Sequence, residues 1–231
     1  MSRHAARDAP TPGERRGADT DDRFSGFNEI VASVDELRAT MGEPTPSVLA
    51  KVIDRLDGMC RTFISKSPFI VMASANADGV VDISPKGDPE GFVSVLDDKH
   101  LAIPERPGNR RADTFSNLLD NPSVAIIFMI PGKGETLRVK GEARIVRDAA
   151  LRERMTVKGR VPEYAVVVYV QQALMHCPKC MVRSRLWEPG AWPDCADTPS
   201  IAEAVVVHAD LDMTPEQYRE LVKAEDRAKL Y

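Results

Sequence analysis

No stretch of this 231-residue sequence approaches the roughly 18 consecutive apolar residues that a membrane-spanning helix requires. Nor is there an excess of positive charge: 31 Lys and Arg stand against 35 Asp and Glu, a formal net charge of −4. That balance provides no general field for nucleic acid or an anionic membrane, so an anion site has to be local. Histidine is scarce. His4, His100, His176 and His208 form no Ser-His-Asp order, and a hydrolase therefore lacks its parts. The Walker-type Gly-Lys-Ser/Thr loop and the G-x-G-x-x-G fingerprint are both missing, which argues against a nucleoside triphosphate or a Rossmann-bound dinucleotide. Arg15-Arg16 is followed by no apolar segment, so no secretory or twin-arginine leader is expected and the expected address is cytoplasmic. Four cysteines (Cys60, Cys177, Cys180 and Cys195) then read as reduced thiols rather than staples.

What the chain does contain is an ordinary globular mixture, 43% hydrophobic and 29% charged, long enough for one full core with appendages. A Pro-, Gly-, Asp- and Arg-rich head over residues 1–24 is expected to be disordered. Helices are expected over 25–66. Ser33-Val34-Asp35-Glu36 reads as a capping box with Gly42 as the stop, and a second helix is expected from Pro46 to Phe63 on the stripe Val48, Leu49, Val52, Ile53, Leu56, Met59 and Cys60. Over 67–175 the texture changes to strands. Phe69 to Ala73 and Val80 to Ser84 flank the turn Asn76-Ala77-Asp78-Gly79, and Phe92 to Leu96 and Leu101 to Ile103 flank Asp97 to His100. A helix from an Asn109 cap to Asp120 follows, then a strand over Val124 to Ile130. The next strand alternates Leu137, Val139, Ala143 and Ile145 against Thr136, Arg138, Lys140, Glu142 and Arg144. Gly141 falls on its apolar side as a bulge or a close backbone approach. A helix over Ala149 to Lys158 and a strand over Tyr164 to Val170 complete the run. Residues 176–231 form a helical extension expected to pack on it, with a capping box at Thr214 to Gln217. Hairpin connections mean antiparallel pairing, and six or seven strands this apolar should close on themselves or find a partner.

Two basic clusters stand at the ends of strand-like runs: Ser84-Pro85-Lys86-Gly87-Asp88-Pro89 and Arg106-Pro107-Gly108-Asn109-Arg110-Arg111. Taken singly, each reads as solvated loop charge. Together they place cations, hydroxyl and amide donors and close-approach glycines at one rim. Arg110 and Arg111 are also expected at the positive pole of their own helix, an unfavourable place unless an anion such as a phosphate is bound.

The order of these runs carries a resemblance. Phe63-Ile64-Ser65-Lys66-Ser67-Pro68-Phe69, Ile83 to Pro89, Ile103 to Arg111 and Glu135-Thr136-Leu137-Arg138-Val139-Lys140-Gly141 resemble the pyridoxamine 5′-phosphate oxidase-like family of FMN-binding split barrels. The resemblance extends over roughly Arg61 to Val146 and implies a mainly β fold, a six-stranded antiparallel split β-barrel with helical extensions, that forms a homodimer with FMN between the subunits. It implies cofactor-binding roles for Ser84, Lys86, Arg106, Asn109, Arg110, Arg111, Thr136 and Arg138, and a substrate groove near His176, Arg183 and Trp187. No metal is expected. The vitamin B6 oxidases carry an aromatic residue and a hydroxyl where this chain has Ile103-Pro104, and their C-terminal Arg-x-His has no counterpart, so vitamin B6 oxidation is not assigned.

The resulting expectation is an FMN-dependent oxidoreductase acting on a small organic substrate, with NADH, NADPH or the substrate as electron donor. The alternatives are a flavin- or haem-binding carrier or sensor, a deazaflavin-dependent reductase, and a zinc-stabilised interaction module. Cys177-Pro178-Lys179-Cys180 reads first as buried or incidental thiols, then as half a zinc site with His176 or Cys195, then as a redox pair. Trp187 reads as a cover for the flavin ring or, equally, as packing for the tail along with Trp192.

Overall fold

The computed structural model describes residues 22–228. The disorder expected over 1–24 falls outside them except at Asp22–Phe24, a single 3-10 turn. The chain divides into two compact units at Thr45/Pro46. In the first, α1 spans Val34–Met41. Ser33 Oγ accepts from the Glu36 N–H at 3.1 Å, while Glu36 reaches back to the Ala32 N–H, one residue beyond the expected partner. Gly42 ends the helix with φ 72°, its N–H donating to the Arg38 carbonyl.

The second unit is built on one antiparallel sheet of seven strands: β1 Phe69–Ala75, β2 Val81–Gly87, β3 Ser94–Val95, β4 His100–Pro104, β5 Ser123–Met129, β6 Thr136–Val146 and β7 Ala165–His176. Their order is β2-β1-β5-β6-β7-β4-β3. The two-residue β3 makes the count seven rather than six. Ile70 and Met72 of β1 share a hydrophobic core with Leu101 and Ile103 of β4, yet in a flat sheet those strands would lie about 19 Å apart. The sheet is therefore rolled into a split barrel, with β2 and β3 as its free edges and helices flanking it. Gly141 meets both expectations held for it. A register shift falls between Lys140 and Gly141, and a Cβ at Gly141 would overlap the Tyr169 carbonyl of β7.

The helix expected over Pro46–Phe63 is two helices, α2 Pro46–Ala50 and α3 Gly58–Lys66. Its middle is drawn out because Ile53 exchanges both backbone bonds with Ala173 of β7, at 3.0 and 2.7 Å. Asp57 then starts α3 by accepting from the Cys60 N–H at 2.9 Å. The expected stripe divides accordingly: Leu56 and Cys60 enter the core, while Val48, Leu49, Val52 and Met59 stay exposed.

α4 spans Asp113–Asp120 and covers the inner side of β1 and β2, with Leu118 in the core and Asn117 Nδ2 donating to Ser74 Oγ at 3.0 Å. α5, Ala149–Arg154, ends four residues short of Lys158, where Val157 and Arg160 close a tight turn. β7 runs six residues beyond Val170. The tail forms α6 Lys179–Ser184, α7 Ile201–His208 and α8 Pro215–Ala228. The box at Thr214 forms as expected, Thr214 and Gln217 each donating an N–H to the other's side chain. No helix among the described residues is long and apolar enough to cross a membrane.

Candidate functional site

β2 decides the geometry of the site. Its register pairs Asp82, Ser84 and Lys86 with the core-facing Ser74, Met72 and Ile70 of β1. Directly paired residues share a face, so the polar row turns toward the barrel interior. The apolar row turns outward, leaving Val81 65% and Ile83 64% exposed. Lys86 is half-buried at this free edge. Its Nζ lies 3.3 Å from Ser84 Oγ, and among the described residues no carboxylate lies within ion-pairing distance of it. Burial lowers the Lys86 pKa from its ordinary value, while the Glu105 and Asp82 carboxylates pull it back upward. Glu105, half-buried just past β4, is shifted the other way: burial raises its carboxyl, and Lys86 and Arg106 offset part of the rise. Glu105 was missed in the sequence because only its place beside Arg106 hinted at a role.

Arg106 is already engaged elsewhere. Its Nε donates to Asp88 Oδ2 at 2.6 Å and its Nη2 to the Met155 carbonyl at 3.0 Å. The pair is largely buried, with the Arg106 and Asp88 side chains 16% and 1% exposed. It fastens the loop after β4 to the end of β2 and to the C-terminus of α5.

The start of α4 overturns the expectation that Arg110 and Arg111 crowd a helix's positive pole. The helix begins at Asp113, behind an Ala112 cap with φ 58° and no side-chain bond. With Arg110 at φ 62° as well, the backbone leaves the helical region twice in three residues. Asn109 does not cap the helix; its Oδ1 accepts from the Arg111 N–H at 3.0 Å, an Asx turn. The acid Asp113 takes the first turn and binds Arg111 Nε at 2.7 Å, with Arg111 71% exposed. Arg110 and Arg111 are thus solvent-facing guanidinium groups on the loop that precedes α4, and they face water within a single chain.

Thr136, Arg138 and His176 come together elsewhere. Thr136 of β6 pairs in register with His176 of β7, and Arg138 pairs with Leu174 and with Ile127 of β5. All of these fall on the outer side of the sheet by register, although Thr136 is itself buried, 2% exposed. Arg138 and Lys86 stand three strands apart, about 14 Å, on opposite faces. Trp187 lies past α6 and donates its indole N–H to the Lys133 carbonyl at 2.9 Å, in the turn between β5 and β6. Trp192 donates instead to the Leu186 carbonyl, so both indoles tie down the tail. Arg183 is exposed in the last turn of α6. A surface groove of about 730 Å³ opens between the start of α3 and the β5–β6 turn, lined by Met59, Phe63, Ile130, Lys133 and Met175 among others. None of the nominated residues lines it.

The expectation of buried thiols fails at Cys177 and Cys180, which are exposed; Cys60 is the buried one, and burial pushes its thiol up to about 11. Among the described residues no three His, Cys, Asp or Glu side chains converge as a metal site.

Comparison with known proteins gives this geometry its setting. No curated protein matches the chain significantly. Among solved structures, HupZ of Group A Streptococcus is 20% identical over 51% of this chain and 90% of its own, with a TM-score of 0.42. An FMN-binding protein of Syntrophomonas wolfei is 13% identical over 51% and 88%, with a TM-score of 0.39. General Stress Protein 26 of Bacillus anthracis is 15% identical over 49% and 88%, also at 0.39. Residues 56–177, more than half of the chain and nearly the whole barrel, match the family described as pyridoxamine 5′-phosphate oxidase, and the chain belongs to that family.

Proposed function

We propose that the protein binds FMN and acts as a flavin-dependent oxidoreductase on a small organic substrate, as a homodimer, with NADH, NADPH or the substrate itself as electron donor. The observation that carries this reading is Lys86, a half-buried ammonium that stands beside a hydroxyl and, among the described residues, makes no ion pair, although the more distant Glu105 and Asp82 carboxylates pull its pKa back upward. A partly desolvated cation without a counter-charge in direct contact costs stability, and a phosphate dianion would offset that cost. The donor set suits a phosphate monoester: Lys86 Nζ and Ser84 Oγ at the strand edge, with the Asn109 amide and the Arg110 and Arg111 guanidinium groups on the neighbouring loop. When bound, FMN would supply hydride transfer at its ring. The protein's residues then bind and orient, and no side-chain nucleophile is called for. Arg106 is left out of this set because Asp88 already holds it.

The division of the nominated residues supports the homodimer. Lys86 and Arg138 lie on opposite faces, so one chain cannot bring both to one ligand. The outward apolar row of β2 continues through Val71 and Ala73 of β1 and Ala125 and Ile127 of β5, a face of the kind that a second copy covers. A two-fold seam there would bring Arg138 and His176 of one subunit to the free β2 edge of the other, where Lys86 and Ser84 stand.

The test is calorimetric titration with FMN and with riboflavin, which differ by the phosphate. FMN is expected to bind about 10- to 150-fold more tightly, the equivalent of one charge-assisted contact of about 1.5–3 kcal/mol. Lys86→Met should erase most of that preference. Equal affinities in the unaltered protein would overturn the reading, and a Soret band in the purified protein would replace FMN with haem.

A further inference from the structure

We infer that Cys177 and Cys180 form a reversible intrachain disulfide that locks the strap between His176 and Trp187, closed by exchange with a small-molecule disulfide and reopened by the corresponding small-molecule thiol. Both thiols are exposed. They flank a turn rather than extended chain: β7 stops at His176, Pro178 sits at φ −79° and ψ 0°, and α6 begins at Lys179. One helical turn puts residues i and i+3 about 5 Å apart at Cα, inside the 4.4–6.8 Å range that a disulfide spans. Had the strand continued, the two Cα atoms would be about 10 Å apart and unbridgeable. Pro178 fixes φ at the first intervening residue, so the turn that brings the thiols together is present before oxidation.

The position of the pair says what a bridge would do. The strap is pinned at two points to the turn between β5 and β6. Pro178 packs so closely on Gly134 that a Cβ at Gly134 would come within 2.7 Å of it, and Trp187 donates to the Lys133 carbonyl. Between these pins, α6 has six residues and none is buried. A bridge over its first turn removes freedom from the least anchored part of the strap, immediately after His176. The other two thiols are poor competitors. Cys60 lies in the core, and Cys195 stands 15 residues beyond Cys180, so pairing with it would close a far longer loop.

The exchange balances without any other reagent. One cysteine thiolate attacks a sulfur of oxidised glutathione, forming a mixed disulfide and releasing one glutathione thiolate. The second cysteine thiolate then attacks the protein sulfur of that mixed disulfide and releases the other. Two protein thiols are oxidised, one glutathione disulfide is reduced, and the two protons pass to the released glutathione thiolates. The bridge stands without the proposed flavin site.

The test incubates the full chain with oxidised glutathione, then counts thiols in denaturant and weighs the intact protein. The expected result is a fall from four reactive thiols to two, a mass lower by two hydrogens, and a peptide map linking Cys177 to Cys180, all reversed by dithiothreitol. Cys195→Ser should lose two thiols as well, and Cys180→Ser should instead retain one glutathione adduct. Four surviving thiols, a link through Cys195, or a lasting adduct on Cys177 or Cys180 of the unaltered chain would overturn the inference. None of these readouts needs FMN, so failure of the flavin reading would leave them intact.

Discussion

Arg106→Met separates two roles for one residue, a structural clasp and a phosphate ligand. Arg106 holds Asp88, whose side chain is 1% exposed, through a 2.6 Å bond to Oδ2, while Asp88 Oδ1 has no hydrogen-bond partner among the described residues. Without the guanidinium, a buried carboxylate would keep no partner on either oxygen. Breaking a buried ion pair from one side costs roughly 3–5 kcal/mol. Arg106 retains some contact with water, which favours the lower figure, about 3 kcal/mol. Loss of the bond to the Met155 carbonyl falls within that range. Urea denaturation followed by circular dichroism reads the effect directly. For a domain of this size, with a slope near the upper end of roughly 1–3 kcal/mol/M, the midpoint should fall by about 1 M. Adding Asp88→Asn removes the stranded charge and should recover part of the loss, a coupling that a double-mutant cycle isolates. A loss under about 0.5 kcal/mol in Arg106→Met, accompanied by weaker FMN binding, would refute the clasp and return Arg106 to the cofactor.

Gly141→Ala drives a methyl group into the Tyr169 carbonyl across the β6–β7 bulge. Backbone cannot yield as a side-chain tip can, so the urea midpoint should drop by the equivalent of about 3 kcal/mol, the upper end for overpacking; an unchanged midpoint would show that the bulge relaxes. Arg111→Ala removes only an exposed pair with Asp113 and should leave the melting temperature unchanged, whereas a clear drop would mean that the loop depends on it. Glu105→Gln tests burial. A carboxyl whose folded pKa is raised stabilises the fold below its ordinary 4.5 and loses that contribution as pH climbs through the raised value, so the variant's melting temperature should gain on the unaltered protein between pH 4 and 8. If Glu105→Gln is instead the less stable form at pH 8, attraction to Lys86 outweighs the cost of burial.

The strands were legible because each is a short apolar or alternating run closed by turn chemistry, as at Asn76 to Gly79, where Asn76 Oδ1 accepts from the N–H groups of Asp78 and Val80. Gly141 was legible for the same reason: it breaks an alternation whose other members all fit. The helices misled wherever a distant segment claimed the backbone. The stripe from Val48 to Cys60 has helical spacing, but Ile53 gains two bonds from Ala173, 120 residues away, and no local pattern records that offer. Asn109 looks like a cap, and Asp113, four residues on, looks only like a first-turn acid. The choice between them depends on where Leu118 and Phe115 must land against the barrel, which the local sequence does not contain.

The facing of β2 was the least legible feature and has the largest consequence. Period-two alternation tells which residues of a strand share a face, and habit assigns the apolar set to the interior. Here Val81 and Ile83 lie outside while Asp82, Ser84 and Lys86 lie inside, because β1 fixes the register and its Ile70, Met72 and Ser74 have no other way to face the core. Moving β2 by one residue would bury the valine and isoleucine and expose the lysine, an exchange that favours the isolated chain on transfer free energy alone, at about 1.5–3 kcal/mol for each apolar side chain. On the proposed reading the costlier register is compensated on both faces: by a second surface against the apolar row, and by a polar ligand against Lys86 and Ser84. The two demands meet at one free edge, so Ile83→Asp, which changes no nominated cofactor residue, should dissociate the proposed dimer and weaken the proposed FMN binding together. Loss of one without the other, read by sedimentation and by titration of the same sample, would show that the seam and the cofactor site are independent.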